Sequence, residues 1–220
     1  MTQRNIKIAV PKGSLFNDTV ALLGEAGLDT TGLENPGRHL IISNPGVDFI
    51  IVRPTDAPVF TTYGGADCGI CGKDTLVEAD LDVLEMVDLK YGYCRFVVAE
   101  PEAAAGKAEA SYERLGVLRV ATKYPRITRS YYEGKGVQVD IIKMHGNIEL
   151  GPIVGMADRI VDITATGTTL RENHLRVVSE VLGSTARFIA NPAAVRTDPR
   201  VIELASRLEE LTRDNDVTMS

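Results

Sequence analysis

The stretch Asp158-Arg-Ile-Val-Asp-Ile-Thr-Ala-Thr-Gly-Thr-Thr-Leu-Arg-Glu-Asn173 constrains this chain more than any other. Arg159 to Ile163 reads as a buried strand, with Ile160, Val161 and Ile163 as its apolar content. Thr164, Ala165, Thr166, Gly167, Thr168 and Thr169 form a loop of small residues, and Leu170 begins a helical turn. Small residues let a ligand approach the main chain. Backbone N–H groups at a helix start, with the dipole behind them, suit a phosphate. Asp162, just ahead of the loop, is placed to accept hydrogen bonds from sugar hydroxyls or to hold Mg²⁺ through water. A polar strand-to-helix turn with a threonine cap would also account for the loop alone, so the ligand reading depends on the rest of the chain.

The remaining sequence alternates strand and helix patterns. Ile6, Ile8 and Val10 alternate with Asn5, Lys7 and Ala9, which predicts a strand. Ser14 is the expected N-cap of a helix carrying Leu15, Phe16, Leu22 and Leu23, closed by Gly27. Strands are expected at 39–43 and 48–52 around Asn44-Pro45-Gly46, then a short helix at 55–63, a buried strand at 67–71 and a helix opening at Gly72. Further strands follow at 83–87 and 93–98. The small, polar run 103–106 reads as the crossover into a second lobe. That lobe takes a strand at 117–121, a helix at 126–133, a strand at 137–142 and a helical start within 147–152, ahead of the central motif. Strands at 175–181 and 186–190 and a helix at 199–211 complete the chain. The pattern predicts an α/β architecture with largely parallel sheets in two lobes: residues 1–98 with 184–220, and residues 99–183.

The 220 residues are 44% hydrophobic and 25% charged, ordinary for a globular chain of one large or two small units. A formal charge of −6 argues against a general nucleic-acid binder, so an anionic ligand needs locally placed cations. No apolar run approaches the roughly 20 residues that cross a membrane. The N-terminal residues lead straight into a strand pattern without a signal-peptide core, and a cytoplasmic protein is expected.

In open α/β sheets, ligands bind at the carboxyl ends of strands. Lys12 and Gly13 follow the first predicted strand, Arg53 the third, Lys73 the fourth and Lys123 the first of the second lobe. Each could be a solvated loop residue, but their common position suits a polyphosphate. Cys68-Gly-Ile-Cys71 has redox spacing but lies within a strand, where residues three apart face opposite ways. His39, His145 and His174 show no metal-ligand spacing.

At this point the order of motifs resembles the ATP phosphoribosyltransferase family. The matching segments are Ile8-Ala-Val-Pro-Lys-Gly13, Val52-Arg-Pro-Thr-Asp-Ala-Pro58, Gly65-Ala-Asp-Cys-Gly-Ile-Cys-Gly-Lys-Asp74, Val120-Ala-Thr-Lys-Tyr124, Gly146-Asn-Ile-Glu-Leu-Gly-Pro152 and the run from Val161 to Asn173. One departure is Lys12-Gly-Ser14-Leu15, where the family usually reads Lys-Gly-Arg-Leu. The length resembles the short form of the family, which lacks a C-terminal histidine-sensing domain and works with a regulatory subunit resembling a histidyl-tRNA synthetase.

The resemblance implies a two-lobed, periplasmic-binding-protein-like fold with an inter-lobe active-site cleft. It implies that N1 of ATP adenine joins C1 of the ribose of 5-phosphoribosyl-1-pyrophosphate (PRPP), releasing pyrophosphate. On this reading the loop 164–169 holds the 5-phosphate and Asp162 the ribose hydroxyls. Lys12, Gly13, Arg53, Asp67, Gly69 and Lys73 are the expected ATP-binding residues, with Lys12, Arg53 and Asp162 catalytic. Mg²⁺ is expected through pyrophosphate oxygens, with no direct protein ligand. A homodimer within a hetero-oligomer is expected. The alternatives are a non-catalytic two-lobed small-molecule-binding protein and a phosphoribosyltransferase for another base.

Overall fold

The computed structural model describes residues 4–217. The expected outer bounds at residues 1 and 220 lie outside them. In chain order the elements are β1 (Ile6–Pro11), α1 (Phe16–Glu25), β2 (Ile41–Asn44), β3 (Val47–Val52), α2 (Ala57–Thr62), β4 (Cys68–Gly72), α3 (Lys73–Ala79), β5 (Leu84–Asp88), β6 (Cys94–Pro101), α4 (Lys107–Leu115), β7 (Leu118–Thr122), α5 (Pro125–Glu133), β8 (Val139–Lys143), α6 (Leu150–Ile153), β9 (Arg159–Thr164), α7 (Thr168–Glu172), β10 (Leu175–Ser184), β11 (Ala186–Ala190), α8 (Pro192–Thr197) and α9 (Pro199–Val217). Contacts divide them into two compact units. One runs up to Tyr93 and resumes at Thr185, and the other is Cys94–Ser184.

The first unit is built on a sheet ordered β2-β3-β1-β4-β11-β5. β1 runs parallel to β3 and β4, whereas β2 and β11 are antiparallel to their neighbours. Ile6, Ile8 and Val10 share one face of β1 and pack with Leu22, Leu23 and the Val201, Leu204 and Leu208 stripe of α9. Ala9, on the other face, packs with Ala57 of α2, Val52 and Ile189. The expected Ser14 cap is not formed: Leu15 is the N-cap residue of α1 and has no side-chain cap bond. Gly13, at φ 89°, makes the turn after β1, and its carbonyl accepts from Phe16 N–H at 3.1 Å.

The second unit is built on a sheet ordered β10-β6-β9-β7-β8. β7 is parallel to β8 and β9, and β6 is antiparallel to both β9 and β10. Both sheets are therefore mixed. The expectation of largely parallel sheets fails because β6 and β11, the strands at which the chain passes between units, run against the βαβ strands. The boundary drawn at residue 98 falls inside β6, whose partners β9 and β10 are both in the second unit. The crossover expected at 103–106 lies beyond that strand.

Two helices escaped the sequence reading. In α4 only Ala108 is buried, so Lys-Ala-Glu-Ala-Ser-Tyr-Glu-Arg-Leu offers little apolar stripe. In α8 the signal was present: Asn191 caps Ala193 and Ala194 N–H at 2.8 and 3.1 Å, with Pro192 at the first helical position. Among the described residues no helix is long and apolar enough to cross a membrane.

Candidate active site

β9 is the middle strand of the second sheet, and its carboxyl end opens a pocket of about 290 Å³. Asp162, the loop 164–169, Lys123 and Glu149 all contribute to the lining. The central strand has an apolar partner on each side, so Ile160 and Val161 are fully buried and the chain emerges rigidly at Asp162. The neighbouring strand β7 is clamped at the same level: the Thr122 hydroxyl donates to Val161 O at 2.7 Å and accepts from Tyr124 N–H at 2.9 Å. This fixes where Lys123 leaves the sheet.

Asp162 is only 9% exposed. One oxygen accepts from Ile163 N–H at 2.9 Å, and the other lies 3.9 Å from Lys123 Nζ. Burial pushes its carboxyl above the usual carboxylate range, and Glu149 adds to the rise; the Ile163 N–H and Lys123 act against it. An aspartate so placed still has acceptor capacity to offer. Hydrogen bonds from sugar hydroxyls, or a cation, would stabilise its charged form.

The loop is ordered by its own side chains. Gly167, at φ 74°, donates its N–H to Thr164 Oγ1 at 2.8 Å, and the Thr166 and Thr168 hydroxyls lie 2.9 Å apart. Arg171 reaches back from α7, donating to Thr166 O at 3.0 Å and Thr168 Oγ1 at 3.1 Å. Asn173 Nδ2 donates to Thr169 O at 2.9 Å. The helix starts at Thr168, two residues before the expected Leu170, so Thr168 and Thr169 belong to its first turn. Arg171 and Asn173 were in the central stretch without an assigned role, and Glu149 sat in the Gly146–Pro152 segment in the same way. Nothing in periodicity marks them; only the folded loop does.

In the first unit, Lys12 and Arg53 leave the sheet side by side. Pro11 is in register with Val52, and Lys12 N–H donates to Val52 O at 2.8 Å. Both side chains are exposed, and among the described residues neither has an ion-pair partner. Lys73 differs, because its ammonium is paired with Glu85. Gly69 is fully buried inside β4. A Cβ there would meet Ala9 Cβ at 2.9 Å and Thr61 Oγ1 at 3.0 Å, so this glycine permits the close packing of β1 and α2.

Asp67 stands apart from the other expected ATP-binding residues. It precedes β4, level with Lys7 at the amino end of the parallel strands, about 16 Å from the Lys12 edge at the usual rise per residue. Its carboxylate is filled by the Arg4 fork at 2.7 and 2.8 Å and by Lys7 N–H at 2.8 Å. Burial would raise its proton affinity, but these donors outweigh it and hold the carboxyl below its usual range. Cys68 packs in one core of this unit and Cys71 in the other, both buried, and burial raises both thiols. A redox pair is not formed.

A two-unit α/β chain with an aspartate and a Thr/Gly loop on one pocket has the form of a transferase of phosphoribosyl groups. The family model described as ATP phosphoribosyltransferase matches residues 53–210. The ATP phosphoribosyltransferase of Rubrobacter xylanophilus is 49% identical over 193 residues, covering 88% of this chain and 89% of that one. In the solved ATP phosphoribosyl transferase (HisG:HisZ) complex from Thermotoga maritima, a chain is 32% identical at a TM-score of 0.79, with 95% of this chain and 99% of that chain covered. An ancestral amino acid-binding protein, at 12% identity and TM-score 0.56, shares the fold alone, which is of the periplasmic-binding-protein type.

The chain belongs to the ATP phosphoribosyltransferase family. Its reaction joins N1 of ATP adenine to C1 of the PRPP ribose with release of pyrophosphate, the first step of histidine biosynthesis. Family membership decides against the non-catalytic binding protein and against another acceptor base.

Proposed function

We propose that the pocket at the end of β9 is the PRPP site, with the loop 164–169 around the 5-phosphate and Asp162 on the ribose hydroxyls. The observation that supports this most is the acceptor capacity of Asp162, a buried carboxylate with one backbone donor and a lysine only at 3.9 Å. The loop supplies backbone N–H groups and hydroxyls at one short arc, as a phosphate requires. Some are spent internally without ligand: phosphate would replace the Thr164 hydroxyl as the acceptor for Gly167 N–H. Lys123 offsets the added negative charge.

Lys12 and Arg53 are the proposed phosphate-binding cations of the ATP side, with Gly13 giving the turn that exposes the main chain beside them. Lys73 is a weaker candidate because Glu85 already neutralises it, and Asp67 and Gly69 are not retained. Adenine N1 carries a lone pair and no proton at neutral pH, so its attack needs no strong general base. The barrier lies in the departing pyrophosphate and the cationic character developing at the ribose. Positioning and charge stabilisation by Lys12, Arg53, Lys123 and the Asp162 carboxylate address both.

Magnesium fits as a companion of PRPP. Asp162 and Glu149 line one pocket and are hard oxygen donors suited to that ion, directly or through water. Bound there with the pyrophosphate oxygens, it would supply neutralising charge to the leaving group. A histidyl-tRNA-synthetase-like regulatory subunit, a homodimer within a hetero-oligomer and a cytoplasmic location complete the proposal. The Thermotoga maritima complex supports the partner, since that relative is solved as a HisG:HisZ assembly.

The test is product formation from ATP, PRPP and Mg²⁺, followed by ultraviolet absorbance with pyrophosphatase present, with and without the regulatory subunit. A marked gain on adding the subunit is expected. Full activity that the subunit leaves unchanged would remove it from the proposal. An Arg53→Ala enzyme is expected to lose about tenfold or more in kcat/KM for ATP without loss of stability; unchanged kinetics would remove Arg53.

A further inference from the structure

The second unit holds a cavity besides the loop pocket. It has a volume of about 450 Å³ and lies between α4, α5 and the sheet, within the usual range of about 300–1,000 Å³ for small-molecule sites. Side chains alternate across a strand, and this alternation separates the two pockets. On β6, Val98 lines this cavity and Val97 the loop pocket; on β9, Arg159 lines this cavity and Asp162 the loop pocket. The two sites are back to back on opposite faces of the same strands.

The lining is selective. Val98 and Leu118 give an apolar floor, and Tyr112, Tyr131 and Tyr132 give aromatic walls. Aromatic walls favour a planar ring, packed offset or edge to face. Arg159, the half-buried cation of the lining, is already neutralised: it donates to Glu100 at 2.9 Å and pairs with Glu109. The other charged side chains, Glu113 and Lys135, are exposed, and Lys135 sits over the Tyr131 ring at 4.4 Å, so the inner walls offer a ligand no free charge. The Tyr131 hydroxyl is within 2.7 Å of Ser179 Oγ, which ties α5 to the edge strand β10 and holds one wall in place.

Tyr132 supplies the second, independent indication. It is 3% exposed, and among the described residues its hydroxyl has no hydrogen-bond partner of good geometry. Arg159 lies beside it, but a guanidinium only donates, so the phenol proton still lacks an acceptor. Burial pushes that phenol up to about 12, and the proton stays on. A buried donor left without an acceptor is costly, and a ligand that brings one relieves the cost.

We propose that this cavity is an effector site for an uncharged, planar heteroaromatic molecule bearing a hydrogen-bond acceptor, separate from the loop pocket on the reverse face of the sheet. Its occupant packs on β6 and β9, the strands that hold Asp162, and acts on PRPP use through them. The test is titration of the active enzyme with 4-quinazolinone, a neutral bicyclic probe with carbonyl and ring-nitrogen acceptors, followed by calorimetry and by steady-state kinetics. Saturable binding is expected, with a change of roughly twofold or more in KM for PRPP.

Val178→Trp fills the rim from a half-exposed position on β10, where folding tolerates bulk. It is expected to weaken the probe about tenfold and to abolish the kinetic effect while leaving basal turnover intact. Tyr132→Phe is expected to weaken the probe about fivefold without lowering the melting temperature. Absence of saturable binding, binding undiminished in Val178→Trp, or binding that leaves kcat and KM unchanged would each overturn the proposal.

Discussion

Asp67 in the first unit and Asp162 in the second are exposed to similar extents, 8% and 9%, and each sits at one end of a strand in an open mixed sheet. Their surroundings differ. Asp67 accepts three hydrogen bonds, two from one guanidinium, and its acceptor capacity is spent inside the protein. Asp162 accepts one backbone bond and has a lysine at a looser 3.9 Å. The first carboxyl is held below its usual range and the second is raised above it. A buried carboxylate whose partners are supplied stabilises the fold. One whose partners are withheld costs stability until a ligand supplies them, and such groups cluster at functional sites.

That contrast gives opposite expectations for the same substitution. Asp162→Asn is expected to reduce kcat/KM for PRPP by about 100-fold, roughly 2.7 kcal/mol, while the protein melts at the same temperature as wild type or higher. A stability loss with little kinetic effect would place Asp162 in the same class as Asp67. Asp67→Asn is expected to cost roughly 2 kcal/mol in denaturant unfolding, tempered by the exposure of Arg4, while folded enzyme keeps near-normal kcat. A specific loss of ATP affinity in that variant would restore it to the nucleotide site.

The pH dependence sharpens the pair. The folded carboxyl of Asp67 ionises below its unfolded range, so its contribution is fully present above about pH 4 and is lost as pH falls through the lower folded value. Asp162 is raised, so its contribution is fully present below about pH 4 and is lost as pH rises through the folded value. Melting curves should therefore show Asp67→Asn furthest below wild type at neutral pH, with the gap closing on acidification. Asp162→Asn should stand level with or above wild type at neutral pH and converge on it in acid. Parallel curves for both variants would contradict this assignment of causes.

Much of this organisation was legible in the sequence, for identifiable reasons. Alternating apolar residues gave β1, and a short apolar run gave the buried strand β9, where Ile160 and Val161 are both enclosed. The Thr/Gly loop was visible as a strand-to-helix turn, but its ligand reading came from the acidic residue ahead of it and from the order of motifs along the chain, because a capped polar turn has the same composition. Register was not legible. Asp67 and Gly69 lie in a segment that matches the family, but only the pairing of Ile8 with Cys68 shows that Asp67 is at the amino end of β4 and that Gly69 lies against Ala9. The antiparallel run of β6 and β11 was hidden similarly, because a strand's direction leaves no mark on its composition. Lys73, at the start of α3, read as a phosphate cation because its partner Glu85 is on β5, 12 residues away.

The central claim is that Asp162 and the loop after it hold PRPP, and calorimetric titration of PRPP with Mg²⁺ into wild type and Asp162→Asn addresses it directly. The variant, folded and equally stable, is expected to bind PRPP about tenfold or more weakly, the loss of one to two charge-assisted hydrogen bonds. Equal affinity in the two proteins would contradict it and move the PRPP site away from β9.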